Sequence, residues 1–241
     1  PNKEVTGITF NHRMYVIECL DADPLTGTWT EKGQIKTGWE SFSLDATILQ
    51  HKGKLYYIWA QEDRNVNYES HSNIYIAEME NPWTLRTKPV MLTQPLLDWE
   101  IKIFWVNEGP AILKKNGKIF LTYSASATDE NYCMGMLVVN ENDDLLDPKS
   151  WKKLEKPVFK TSYKNKQYGP GHNSFTVSED GMKDLLVYHA RNYTDIEGDP
   201  LYDPNRHTRV QVIEWDKDGF PIFGEPVMDT RNVDFDSLRK K

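Results

Sequence analysis

Apolar positions come in short runs rich in Tyr, Ile, Val and Phe, bounded by Asn-Gly, Asp-Gly and Lys-Gly pairs. No long segment with a 3.6-residue period competes with them, and the pattern predicts an all-β chain. An apolar strand opening at Leu44, a Lys52-Gly53-Lys54 turn and the run Leu55-Tyr56-Tyr57-Ile58-Trp59 make a hairpin signature. It returns at residues 111–113, Asn116-Gly117-Lys118 and 119–123, and again at 174–177, Asp180-Gly181 and 185–188. The turn glycines Gly53, Gly117 and Gly181 therefore recur at an interval of about 64 residues.

A third strand and a polar loop follow each hairpin: residues 73–77 lead to Asn81-Pro82-Trp83, 134–139 to Asp147-Pro148 and Trp151, and 208–213 to Asp216. The same ending occurs at 13–17 with Asp23-Pro24 and Trp29, so the chain opens on the back half of a unit. A repeat of about 64 residues holding about four strands is the signature of a propeller blade. Five blades would need about 320 residues, which places about 80 upstream of Pro1. The expected organisation is an incomplete five-bladed β-propeller over 1–226, its first blade missing, with 227–241 as a closing segment or a loose tail.

Composition narrows the partners. A net charge of −7, with no basic run beyond Arg239-Lys240-Lys241, offers no broad attraction for nucleic acid. No apolar stretch approaches the roughly 18 residues of a membrane span. The 8 Trp and 12 Tyr suit strands and also suit sugar faces. Cys19 and Cys133 are far apart and in no metal-ligand spacing, and are expected as two buried free thiols.

One polar residue precedes each hairpin where an apolar one is the default: Asp45, Glu108 and His172. Their spacing equals the repeat within one residue, so rotation about a propeller axis brings all three to one end of the central funnel. A lone carboxylate beside a strand ordinarily caps a turn, and a lone histidine is as often structural as functional. A shared register favours function. Two carboxyl groups in one desolvated place raise each other's proton affinity, and a carboxylic acid still protonated near neutrality can donate to a leaving group. Glycoside hydrolysis needs such an acid and a second carboxylate about 5 Å or about 6.5–9.5 Å away.

The strings SLDAT at Asp45, VNEGP at Glu108, YGPGHNSF at His172 and RHTRVQ at Arg209 resemble the motifs of glycoside hydrolase family 43, especially its α-L-arabinofuranosidases. The resemblance implies a five-bladed propeller that inverts the anomeric centre with three carboxyl groups. Glu108 matches the general acid and Asp45 the residue that orients it and tunes its pKa. The general base, an Asp early in the first blade, has no match here, since Asp21 and Asp23 are out of register; it is expected upstream, and this piece alone is expected to hydrolyse little. His172 matches the histidine that is the protein ligand of an axial structural Ca²⁺, with waters completing the shell, an ion not required for the chemistry. Arg209 matches a last-blade arginine facing the pocket.

Trp39 and Trp99 precede the two carboxyl motifs and are candidates for stacking on sugar, although core packing competes for each. The acidic stretch Asp195, Glu197, Asp199 and Asp203 reads as a solvated loop. The implied activity removes terminal α-L-arabinofuranosyl residues from plant cell-wall arabinan, arabinoxylan or their oligosaccharides, in a secreted or periplasmic setting. A β-xylosidase, an endo-arabinanase and a non-catalytic sugar-binding propeller are the alternatives.

Overall fold

The structure, a computed structural model, describes residues 11–66 and 70–229. These residues form five antiparallel sheets in chain order. β1 (Tyr15–Cys19) pairs with β2 (Trp29–Gln34). The second sheet joins β3 (Ser43–His51), β4 (Lys54–Gln61) and β5 (Asn73–Asn81), with the short β6 (Thr84–Leu85) and β7 (Val90–Thr93) both on the outer edge of β5. The third runs β8 (Asn107–Lys115), β9 (Lys118–Ala125), β10 (Cys133–Asn140) and β11 (Lys152–Lys153). The fourth holds β12 (Tyr168–Val177), β13 (Asp184–Arg191) and β14 (His207–Val212), and β15 (Glu214–Trp215) pairs with β16 (Pro221–Ile222).

Turn chemistry fixes the first two hairpins. Lys52 and Gly53 have φ of 48° and 75°, and Asn116 and Gly117 have 55° and 71°. Positive φ at both central residues is what a two-residue hairpin needs to match strand twist. The third hairpin is longer, because Val177 pairs with Asp184 and Ser178 and Asp180 hydrogen bond across the intervening loop.

The strands read as nearly unbroken apolar runs because each middle sheet is buried on both faces. Along β4, Tyr57 and Trp59 join a core shared with the first sheet, whereas Tyr56, Ile58 and Ala60 join one shared with the third. On β9 and β10, Leu121, Tyr123, Leu137 and Val139 face the second sheet, while Phe120, Met134 and Met136 pack with Leu186 and Tyr188 of β13. Side chains alternate across a strand, so one sequence fills two cores. Each fully buried large apolar side chain stabilises the fold by about 1.5–3 kcal/mol.

One end of the stack is organised by polar contacts. The chain enters β8 beside the entry to β5, where Asn107 N–H donates to Ser72 O at 3.0 Å and His71 N–H to Trp105 O at 2.9 Å. Glu100, fully buried, receives the Lys153 ammonium at 2.7 Å, the Tyr123 hydroxyl at 2.8 Å and the Asn107 amide at 3.1 Å. Burial lowers the Lys153 pKa even though Glu100 opposes that shift. This network pins the first residue of β8.

Two expectations are adjusted. Cys19 and Cys133 are both free, but only Cys133 is buried, and Cys19 is partly exposed on the two-stranded first sheet. Most of the 227–241 segment, including Arg239-Lys240-Lys241, lies outside the described residues.

Lys153→Met leaves Glu100 buried without its cation, and a loss of about 3–5 kcal/mol is expected in urea unfolding. A loss below about 1 kcal/mol would contradict the network's role.

Candidate active site

β3, β8 and β12 all start at this polar end, and each is irregular there. Register breaks between Leu44 and Thr47, between Glu108 and Ala111, and at two places between Tyr168 and Ser174. The extra residues adopt positive φ: Asp45 at 54°, Gly109 at 55°, Gly169 at 60° and His172 at 44°. A non-glycine residue in this region is uncommon and costs on the order of 1–3 kcal/mol. Bulges of this kind re-aim side chains.

The re-aimed groups meet. Gly109 N–H donates to Asp45 Oδ2 at 3.1 Å, so the Asp45 carboxylate sits against the residue following Glu108. His172 Nδ1 lies 3.9 Å from the same Oδ2. A Cβ on Gly109 would come within 3.3 Å of the His172 ring, so glycine answers both a positive φ and a close approach. His172 N–H in turn donates to Ser124 Oγ at 2.7 Å, tying β12 to β9.

Glu108 is partly exposed, and its Oε1 accepts the Tyr132 hydroxyl at 2.6 Å. Burial first, then the Asp45 charge, raises its pKa from 4.5 to about 7, while the Tyr132 hydrogen bond and Arg206 pull the other way. A carboxyl group in that state holds a proton near neutrality and can release it to a neighbouring oxygen.

The remaining candidates divide. Asp45, Glu108 and His172 converge; Trp39, Trp99 and Arg209 have partners elsewhere. Trp39 packs on Tyr75, 4.9 Å between ring centroids, in the core between the first two sheets. Trp99 stacks over Tyr123 and donates Nε1–H to Glu155 O at 2.8 Å. Both rings are partly exposed where they pack against these cores, and contact with sugar stays an expectation for them. The Arg209 guanidinium holds Gln167 at 2.9 Å and Asp229 at 3.0 Å. The cation acting on Glu108 is Arg206, three residues earlier.

Asp203 departs from the solvated-loop expectation: it is paired with Arg191 at 3.0 Å and accepts the Tyr193 hydroxyl at 2.8 Å. Arg191, 1% exposed, also donates to Thr128 O and to Pro200 O, anchoring the loop that carries Arg206. Asp21 and Asp23 cap the turn between β1 and β2 by accepting Thr28 and Leu25 N–H. That turn is at the opposite end of the sheet from Met14 and His12, which bond Ile35 and Ser43.

An axial Ca²⁺ requires about six to eight oxygen ligands. His172 and Asp45 stand together, but among the described residues no group of three or more His, Cys, Asp or Glu side chains is placed to hold an ion. Waters count among those ligands, and an ion beside His172 and Asp45 would take most of its shell from water.

Antiparallel sheets stacked in sequence, with carboxyl groups from successive first strands meeting at one end, define a β-propeller with a two-acid site. The chain belongs to the glycosyl hydrolases family 43, whose model matches residues 4–221. It is 58% identical over 217 residues to an extracellular exo-alpha-(1->5)-L-arabinofuranosidase of Streptomyces avermitilis, covering 90% of this chain and 45% of that protein. It is 54% identical to alpha-L-arabinofuranosidase 43 of Humicola insolens, again over 90% and 45%. The crystal structure of an alpha-L-arabinofuranosidase from Lactobacillus brevis superposes with a TM-score of 0.89 at 65% identity, over 91% of this chain and 67% of that one. The chain thus spans about half the length of these curated relatives. Among the described residues no helix is long and apolar enough to cross a membrane.

Tyr132, Arg206 and His189 belong to the site and were not anticipated. Among the described residues neither ring nitrogen of His189 has a hydrogen-bond partner, and burial, with Arg206, His172 and Arg191 nearby, lowers its pKa to about 3. All three come from loops or second strands, away from the repeated position before each hairpin.

Burial and the Asp45 charge hold the Glu108 pKa up at about 7, above the ordinary 4.5, so the folded protein holds a proton that the unfolded chain releases between those limits. Its contribution to stability is full below about 4.5 and is lost as pH rises through about 7. Glu108→Gln is neutral throughout and should gain on the parent between about pH 5 and about pH 8 by on the order of 1–3 kcal/mol. Thermal melts at both values check this, and a pH-independent difference would contradict it.

Proposed function

We propose that the protein containing this chain is an inverting, exo-acting α-L-arabinofuranosidase that removes terminal arabinofuranosyl residues from arabinan- or arabinoxylan-type chains outside the cell. The observation that carries the reading is a half-buried Glu108 whose proton affinity is raised by its surroundings beside Asp45, at the mouth of stacked sheets. Family membership and the printed names of the relatives support it.

In this reading Glu108 gives its proton to the departing glycosidic oxygen as the bond to the anomeric carbon breaks. Asp45 orients the acid through Gly109 N–H and keeps it protonated until then. A water adds from the opposite face, its proton passing to a carboxylate supplied by sequence outside this chain. The ring is five-bladed, with the remaining strands from the same source. Two apolar faces support that closure. Tyr15 and Ile17 on β1 are 59% and 58% exposed, and Val210 and Val212 on β14 are 52% and 37% exposed. Sheets in a propeller bury such faces against neighbours.

The test uses the full-length protein. Its p-nitrophenyl α-L-arabinofuranoside rate should exceed that on the β-D-xyloside by at least about ten-fold, and proton NMR should show β-arabinose forming first. Retention of configuration, or preference for the xyloside, would overturn the assignment. Glu108→Gln should lower kcat on a 1,5-linked arabinobiose by about 10²–10⁴-fold while largely sparing a 2,4-dinitrophenyl arabinofuranoside, which needs no protonation.

A further inference from the structure

Tyr132 stands immediately before β10, outside the repeated positions that carry Asp45, Glu108 and His172. It is 1% exposed, and its hydroxyl meets Glu108 Oε1 at 2.6 Å. That distance falls within the range of about 2.5–3.0 Å for an O–H···O hydrogen bond.

Its neighbours leave the ring one position. The His189 imidazole stacks on it, 5.6 Å between centroids and 10° between planes. A Cβ on Gly171 would come within 2.5 Å of Tyr132 Cε1, and one on Gly169 within 3.5 Å of Tyr132 Cβ. Gly171 thus makes room for the Tyr132 ring, while Gly169 makes room for the Asp129 carbonyl that precedes it on the same loop. The Ser124 hydroxyl reaches the phenol oxygen and also accepts the His172 N–H at 2.7 Å. A ring held this firmly aims its hydroxyl at one oxygen of Glu108.

We propose that Tyr132 is the positioning residue of the acid: by occupying Oε1 it assigns the transferable proton to Oε2 and strengthens its own hydrogen bond as that proton leaves. The inference rests on Glu108 being the acid. Before reaction the phenol donates to a neutral carboxyl group. As the glycosidic C–O bond breaks, its electron pair stays on the departing oxygen, which takes the proton from Oε2. The water that adds to the anomeric carbon gives its own proton to the base. Glu108 is then an anion, and a hydrogen bond to an ionised acceptor is about twice as strong as a neutral one. An interaction that tightens only along the reaction lowers the barrier without tightening substrate binding. Burial, and the neighbouring Glu108, raise the phenol's pKa well above its ordinary range, so it remains a donor throughout.

Tyr132→Phe keeps the ring, the stack and the volume and removes the hydroxyl alone. In the full-length protein kcat on arabinobiose should fall about 10- to 100-fold, with KM within about 2-fold and the rate on the 2,4-dinitrophenyl arabinofuranoside within about 2-fold. Equal losses on both substrates, or no loss on either, would overturn the proposal. Glu108→Gln measured alongside separates the two claims. If it fails to distinguish the substrates, the acid assignment falls. If it does distinguish them and Tyr132→Phe does not, only the positioning role falls. Should Tyr132→Phe not fold, 3,5-difluorotyrosine at position 132 retains the shape with a stronger donor. It should keep or raise the arabinobiose rate, and a fall on that substrate alone would count against the idea.

Discussion

A carboxylate that accepts the backbone N–H one residue beyond a second carboxyl group makes the two acids share one poorly solvated space. Asp45 Oδ2 and Gly109 N–H form that contact, and Glu108 bears the consequence. Burial disfavours the Glu108 anion first and the Asp45 charge adds to that, so Glu108 keeps its proton. The rest of the molecule makes the contact possible. Stacked sheets bring β3 beside β8, bulges turn the side chains, and glycine at 109 admits both the backbone turn and the His172 ring.

Holding these groups together works against stability. Positive φ at Asp45 and His172, an imidazole without hydrogen-bond partners among the described residues at His189 and a protonated acid at Glu108 are each unfavourable for the native state. Two apolar cores flank the strand carrying Glu108, and the Glu100, Lys153, Tyr123 and Asn107 network fixes its first residue. The site is therefore rigid where its chemistry requires it and compensated by packing a few ångströms away.

Much of this was readable from residue order. The hairpins at Gly53 and Gly117 follow from turn chemistry, and the apolar runs of β4 and β9 correspond to strands buried on both faces. The register of Asp45, Glu108 and His172 was legible because repeats convert spacing into position. Side-chain direction within a repeat was not. Trp39 and Trp99 stand beside the carboxyl motifs and pack, partly exposed, on Tyr75 and Tyr123, and the charge of Arg206 acts on Glu108. Tyr132 reaches the acid, and His189 stacks on Tyr132, from places that no repeated position marks, and the tight approach of the Tyr132 ring explains Gly171. Bulges also escape counting, since a positive φ at an aspartate leaves no trace in an apolar and polar pattern.

The most direct measurement is the titration of the Glu108 carboxyl carbon by ¹³C NMR in the full-length protein, alone and with Asp45→Asn. A value near 7 that falls by the smaller part of its elevation when the Asp45 charge is removed, burial retaining the rest, is the predicted result. A value already near 4.5, indifferent to Asp45, would contradict the account.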